Sequence, residues 1–257
     1  SQKFDIAVID LNKANKLVAQ IKDTITEGKV LLTSIDLHYH LHNYEKASSE
    51  SKKIISLLQN KSKEQDLAQA YNLYALVLTQ TKKFNEASVF FKKADKIFTL
   101  LNDEKNKSKV LLGLGILELR RGNPQIALNY FNNGIALFRS FRLSYEEATA
   151  QLNRAEALLK LKEETSDRNL ALAKNALKSA NNIIDSNNYL DLKINVIKIK
   201  SIIAFEEKNY EGSKSNLILY LSEKDSMQQV YIAAISQGLD LELSLGTLNE
   251  INANLQN

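Results

Sequence analysis

Residues 68–98 read AQAYNLYALVLTQTKKFNEASVFFKKADKIF, and this stretch decides the fold. Two apolar-periodic segments lie on either side of the polar residues 81–83. In the second segment, bulky and small residues alternate along one helical face, at Phe84, Ala87, Phe91 and Ala94. The stretch therefore predicts two helices joined by a tight turn.

The same stripe of apolar residues recurs along the chain with a period of 40 residues. Its central small residue is followed by another small residue 40 positions later, with one longer interval of 46. These positions are Ala7, Ala47, Ala87, Ala127, Ala173 and Ser213. A fixed period of this length is typical of repeat proteins, in which each unit buries its apolar face against its neighbours.

Each repeat also contains a first helix and a signal for the start of the second. The first helices are predicted from the apolar-periodic stretches upstream of each turn, which are Val30–His40, Ala68–Thr79, Val110–Leu119, Ala148–Leu161 and Leu192–Phe205. Four residues before each small position stand Asn43, Lys83, Asn123, Asn169 and Asn209. Asn is a favoured N-cap, so the second helices are predicted to begin near these points. The six extra residues of the long interval fall at Glu163–Arg168, a polar stretch that predicts a longer loop.

The Ala68–Phe98 segment resembles a tetratricopeptide repeat. Its matching residues are Tyr71, Tyr74, Ala75, Leu78, Phe84, Ala87, Phe91 and Ala94. The Val110–Phe138 segment is similar, with Leu111, Leu114, Gly115, Gly122, Ala127, Phe131 and Gly134. The resemblance covers roughly residues 1–222, although the period is longer than the usual ~34 residues. It implies an all-α fold, a right-handed superhelical solenoid of about five helical hairpins plus terminal capping helices.

The resemblance also implies a domain organisation. Residues 1–28 are expected to form an N-terminal capping helix or half-repeat, because the helix predicted from Phe4 to about Ile25 aligns with a second helix. The repeat array occupies 29–222, with units near 29–62, 64–102, 105–142, 144–187 and 189–222. Residues 225–257 are expected to form C-terminal capping helices, the last opened by a capping box at residues 247–250. A tail that occupies the array's own groove is the alternative.

Composition argues against an enzyme. The 257 residues include no Cys, three His and one Pro, and 34 basic residues against 30 acidic ones give a net charge of +4. Thiol nucleophiles and thiolate metal sites are therefore excluded, and no catalytic motif is present. We expect no catalytic residues, no cofactor and no metal.

The one concentration of unusual residues is His38-Tyr39-His40-Leu41-His42. On a helix, His38 and His42 share a face at a spacing that two metal ligands can use. No companion motif supplies a third ligand. We therefore favour a structural role, with His38 packed between helices and His42 at the end of the first helix.

The resemblance implies that the first helices line a concave groove that binds a protein or peptide partner. The groove residues carried over are Tyr39, His40, Asn72, Leu76, Gln80, Lys109, Leu112, Ile116, Arg120, Lys160, Lys198 and Phe205. The same register places Glu156 on the groove side of the fourth unit. These residues do not reproduce the family's chaperone-type carboxylate clamp, so we reject a chaperone C-terminal peptide as ligand. An aliphatic floor favours an amphipathic helix or an extended hydrophobic peptide, unless these leucines pack between helices instead.

The charge pattern and hydropathy bear on partners and location. Basic residues of the third and fourth units are interleaved with glutamates, so we expect a solvated face and no nucleic-acid partner. No apolar run of about 18 residues is present, so we expect no transmembrane segment. Two alternatives to a scaffold are a peptide-sensing receptor and a homodimer formed through the terminal helices. An Asn/Lys/Ile-rich composition favours a bacterial protein of the cell envelope over a cytoplasmic one.

Overall fold

The computed structural model describes residues 10–11, 13–14, 17–18, 23–59, 63–161, 166–226 and 229. Within these residues, all regular secondary structure is α-helical, as the sequence predicts. The helices are α1 (Thr24–His40), α2 (Tyr44–Leu58), α3 (Glu64–Gln80), α4 (Phe84–Leu100), α5 (Glu104–Arg121), α6 (Pro124–Ser140), α7 (Ser144–Lys160), α8 (Ser166–Asn187) and α9 (Leu190–Glu206). Residues 210–226 are also helical and follow α9 after a short turn.

The helices stack as consecutive hairpins, and each packs against the next along the chain. The first helices of successive hairpins also pack against one another, α1 on α3, α3 on α5, α5 on α7 and α7 on α9. Among the described helices, the second members α2, α4, α6 and α8 make no comparable contacts with each other. Because successive first helices are in contact while successive second helices are not, the stack curves with the first helices on its inner side. The first helices therefore form the inner, concave layer of a helical solenoid.

The repeated small residues lie on the buried faces of the second helices, which pack against first helices. Ala47, Ala87, Ala127 and Ala173 are all fully buried. In the last hairpin, Ser213 occupies the corresponding position. Its hydroxyl donates a hydrogen bond to the Ser201 carbonyl of the other helix of that hairpin at 3.0 Å. The small positions predicted from the repeat are therefore buried in the four units where Ala occupies them.

Left-handed residues form the turns between helices. Gly122 has a φ of 95°, and the Asn123 amide reaches back to the Glu118 carbonyl at 2.8 Å to close the end of α5. Non-glycine residues adopt the same conformation elsewhere, at His42, Lys82, Asn102, Arg142, Asn188 and Lys208.

Two helix boundaries differ from the sequence-based expectation. The helix predicted to run from Phe4 to about Ile25 cannot do so, because Asp23 is extended and caps a new helix that begins at Thr24. Its carboxylate accepts the amides of Ile25 and Thr26 at 3.2 and 3.1 Å. The fourth second helix begins at Ser166 rather than near Asn169, which lies inside α8 and is 8% exposed. Helical periodicity marks the buried face but not the first residue of a helix, and that explains this error.

The residues expected to form the C-terminal caps lie almost entirely outside the described part of the chain. The capping box at residues 247–250 and the first half of the loop predicted at Glu163–Arg168 also lie outside the described residues. The second half of that loop prediction is wrong, because residues 166–168 belong to α8.

Gly113 allows α5 to approach α4 closely, and replacing it should destabilise the array. A Cβ at Gly113 would lie 2.4 Å from Cε1 of Phe91, which is fully buried and cannot move aside. We expect Gly113→Ala to lower the free energy of unfolding by about 1–3 kcal/mol, the usual result of overpacking.

Gly28 offers the matched control. A Cβ at Gly28 would make an ordinary contact with Leu58 at 3.7 Å. Gly28→Ala should therefore raise stability by about 0.5–1 kcal/mol through better helix propensity. Urea unfolding followed by circular dichroism checks whether Gly113→Ala lowers and Gly28→Ala raises the free energy of unfolding. Equal effects of the two substitutions would contradict the close approach at Gly113.

Candidate functional site

Three basic residues of the concave layer converge on one carboxylate. The Glu156 carboxylate of α7 forms three ion pairs. Its partners are Arg120 of α5 at 3.0 Å, Lys198 of α9 at 3.0 Å and Lys160 of its own helix at 2.9 Å. Arg120 and Lys160 contact Oε1, while Lys198 contacts Oε2. We call these four residues the Glu156 cluster. The cluster joins three successive first helices at a single point.

The depth of the four side chains differs in a way that sets the chemistry of the cluster. The Glu156 side chain is 8% exposed, whereas those of Arg120, Lys160 and Lys198 are 34%, 45% and 30% exposed. The carboxylate is therefore at the base and the cations are nearer the solvent. Burial raises the pKa of Glu156, but the combined effect of Lys198, Arg120 and Lys160 lowers it to about 2. Glu156 is thus ionised at neutral pH.

The charge of Arg120 acts on two tyrosines of the first hairpin, Tyr39 and Tyr44. The Gln80 amide of α3 donates to the Tyr39 hydroxyl of α1 at 3.0 Å. Burial raises the pKa of both Tyr39 and Tyr44, and the positive charge of Arg120 opposes that rise at both phenols. Arg120 is therefore close enough to act on the aromatic side chains of the first hairpin.

The first hairpin also reaches the fourth and fifth across the concave side. The His40 ring lies 3.3 Å from the Tyr145 hydroxyl of α7 and 3.9 Å from the Asp191 carboxylate of α9. The Tyr145 hydroxyl in turn donates to Asp191 at 2.5 Å. We call these three residues the clasp. His40 and Tyr145 are 105 residues apart in sequence, so the clasp depends on the curvature of the whole array.

Two carboxylates beside His40 favour the protonated form of its ring. Burial lowers the pKa of His40, but Asp36 and Asp191 outweigh that effect and raise it. Asp36 lies 3.6 Å from the ring, one turn earlier on α1. In its protonated form, the ring would interact with a carboxylate on each side.

The remaining predicted groove residues do not form one continuous surface. Leu112 and Ile116 are buried at 9% and 7% exposure, which places them in the packing between helices. Asn72 and Leu76 are half-buried on α3, and Lys109 pairs with Glu146 at 3.1 Å. Phe205 is 58% exposed, and its ring meets Tyr210 edge-on at 5.7 Å. The structure brings Arg120, Lys160 and Lys198 together at Glu156, and it brings Tyr39 and Gln80 together in a hydrogen bond.

The histidines other than His40 do not form a metal site. The helix ends at His40, and His42 lies in the left-handed turn, so His38 and His42 do not share a helical face as expected. His38 is buried at 4% exposure, and burial, with Lys46, lowers its pKa to about 4. His42 instead contacts the Tyr44 hydroxyl at 2.6 Å. Within the described residues, no group of three or more His, Cys, Asp or Glu could hold a metal ion.

Neither the interhelical contacts of Glu156 nor the clasp is evident in the sequence. The Glu156–Lys160 spacing indicates an ion pair on one helix, but nothing in the sequence indicates that Arg120 and Lys198 join it from other helices. Asp191 and Tyr145 were missed altogether, because the clasp joins hairpins that are distant along the array.

The stacked hairpins and their concave layer define a helical-repeat solenoid. Residues 66–140 match the tetratricopeptide repeat family model. Repeats of this family generally mediate protein–protein interactions and are generally non-catalytic.

Among solved structures, the chain is similar to BtubC (BKLC) from P. vanneervenii, with a TM-score of 0.56 and 14% identity. That match covers 88% of this chain and 91% of the other, and it shows a shared fold. No curated protein matches the sequence. In the part of the chain that the structure describes, no helix is both long enough and apolar enough to span a membrane.

Proposed function

We propose that the chain is a non-catalytic scaffold that binds a polypeptide partner on the concave layer formed by the first helices. The observation that carries this proposal is the placement of partly exposed polar side chains on that layer. Arg120, Lys160 and Lys198 reach solvent there from three successive hairpins. A buried packing layer has no use for such side chains, whereas a binding surface needs them for orientation and specificity.

The fold supports binding through preorganisation. Neighbouring hairpins hold α5, α7 and α9 in place before any partner arrives, and the Glu156 cluster ties the three helices together. Little conformational freedom of the scaffold is therefore lost on binding, which favours affinity without large contact areas.

Peptide selection with site-directed crosslinking tests this proposal. Peptides are selected from a random phage-displayed library on the immobilised chain. Benzoyl-phenylalanine is then introduced at Gln80 or Glu206, at the ends of first helices, and at Asn85 or Lys96 of α4 as controls. We expect the selected peptides to crosslink at Gln80 and Glu206 but not at the α4 positions. Crosslinks confined to α4, or a library that yields no binder, would contradict a concave binding surface.

The clasp favours a second candidate, a peptide sensor whose curvature changes on binding. His40 joins the first hairpin to α7 and α9 through a few polar contacts, and such contacts open more easily than a packed apolar interface. A sensor should show faster hydrogen exchange at residues 36–41 and 144–148 when a selected peptide binds. A rigid scaffold should show no change there.

A homodimer formed through the terminal helices is the third candidate from the sequence. Its proposed contact residues are Leu248, Ile251 and Leu255. They lie outside the described residues, so the structure adds no observation in its favour.

A further inference from the structure

The Glu156 cluster contains more positive charge than its carboxylate can neutralise. Three cations surround one anion, and in the described part of the chain each of the three has Glu156 as its ion-pair partner within 4.0 Å. Like charges held this close repel one another. Arg120 and Lys198 link α7 to its two neighbours, whereas Lys160 lies on the same helix as Glu156 and adds no link. The surplus positive charge is therefore a cost to the fold that binding an anion would remove.

The cations also retain hydrogen-bond donors that the protein does not use. Each ammonium has three N–H donors and a guanidinium has five, whereas the contacts to Glu156 use one from each group. Because the cations are 30–45% exposed above a carboxylate that is 8% exposed, the spare donors are on the solvent side. The cluster therefore presents converging donors and net positive charge to whatever occupies the concave side.

The shape of this positive region argues for a single acidic group rather than a polyanion. A nucleic acid is bound by a strip of cations that follows successive phosphates. Here the same first helices also carry Glu146 on α7 and Asp191 on α9, each 18–20% exposed at the side chain. A row of phosphates would meet these carboxylates, whereas one carboxylate would meet only the cluster.

We propose that Arg120, Lys160 and Lys198, held in place by Glu156, form a subsite that binds an acidic side chain of the polypeptide partner. This inference rests on the proposed function and adds to it the chemistry of the partner. The partner is a segment with an Asp or Glu at a fixed position, and its carboxylate accepts the spare N–H donors. A charge-assisted hydrogen bond of this kind contributes specificity as well as affinity.

The library selection described above gives the first readout. We expect the selected peptides that crosslink at Gln80 or Glu206 to share an Asp or Glu at one aligned position. One such peptide is then synthesised together with its Asn or Gln analogue at that position. The acidic peptide should bind about tenfold more tightly than its analogue, and its advantage should fall as salt is raised.

A double-mutant cycle assigns the carboxylate to the cluster. Lys198→Gln should lower the affinity for the acidic peptide about tenfold and leave the affinity for the neutral analogue unchanged. Lys96→Gln on α4, which makes the same change of charge at an exposed lysine, should affect neither peptide. Circular dichroism confirms that both variants are folded. Inorganic phosphate, added at constant ionic strength, should compete with the acidic peptide only at the cluster.

Each outcome has a distinct meaning. The acidic subsite is overturned if the peptides that crosslink on the concave side share no acidic residue. It is also overturned if Lys198→Gln weakens the acidic peptide and its neutral analogue equally. Both results leave the scaffold function intact. A failure to select any concave-binding peptide overturns both proposals. Strong competition by phosphate together with equal binding of both peptides identifies a free-anion site instead, and it also overturns the subsite.

Discussion

Ala87→Glu is expected to unfold the second hairpin and to divide the array at that point. Ala87 is fully buried in α4, among Phe91, Tyr74 and other residues of one apolar cluster. A carboxylate at this position would lose its hydration without gaining a partner, and its side chain would push α3 and α4 apart. We expect a loss of about 4 kcal/mol or more, a large share of the stability of a domain.

Urea unfolding measures this loss, and Asn85→Glu serves as the control. Asn85 is exposed in the first turn of the same helix, where a negative charge is favourable. That substitution should leave the unfolding midpoint nearly unchanged or slightly raised. If Ala87→Glu were tolerated as well as Asn85→Glu, the close contact between helices at the repeated small positions would be wrong.

Glu156→Gln is expected to remove most of the acid sensitivity that the Glu156 cluster contributes. Because its folded-state pKa of about 2 is below the usual 4.5, ionised Glu156 stabilises the fold above about pH 4.5, and this stabilisation is lost as the pH falls toward 2. The difference between these two pKa values corresponds to a stabilisation of about 3 kcal/mol, and screening of the partly exposed cations reduces this to about 2 kcal/mol.

The measurement is the free energy of unfolding of the wild type and of Glu156→Gln between pH 7 and pH 2. The variant should be about 2 kcal/mol less stable at pH 7, and the difference should shrink toward zero at pH 2. Glu118→Gln is the matched control, since Glu118 contacts a single cation, Arg121, at 2.8 Å. At pH 7, Glu118→Gln should lower the free energy of unfolding by less than Glu156→Gln does. A constant difference between wild type and Glu156→Gln across this range would contradict the role assigned to the three cations.

The repeat pattern was sufficient to predict the hairpins and their buried faces. Ala47, Ala87, Ala127 and Ala173 were identified from spacing alone, and all four are fully buried. The start of α8 was predicted wrongly because Asn169 matched the pattern of an N-cap while lying inside the helix. A periodic pattern repeats along the helix, whereas a helix end depends on local capping that varies from unit to unit.

The site was predictable only in part, for a physical reason. Arg120, Lys160 and Lys198 could be named because each occupies a first-helix position in its own repeat. Their convergence on Glu156 depends on the offset between neighbouring helices, and the contact of His40 with Tyr145 depends on the curvature summed over three hairpins. A single sequence specifies the repeat unit much more directly than it specifies these small rotations between units.

Hydrogen exchange of the chain with and without a selected peptide tests the central claim most directly. We predict slower exchange in the first helices α5, α7 and α9, strongest around residues 116–121, 152–160 and 195–202, with no change in α4 and α6. This pattern would place the partner on the concave layer beside the Glu156 cluster. Protection confined to second helices, or to the residues after 226, would contradict concave binding and assign the interaction to another surface.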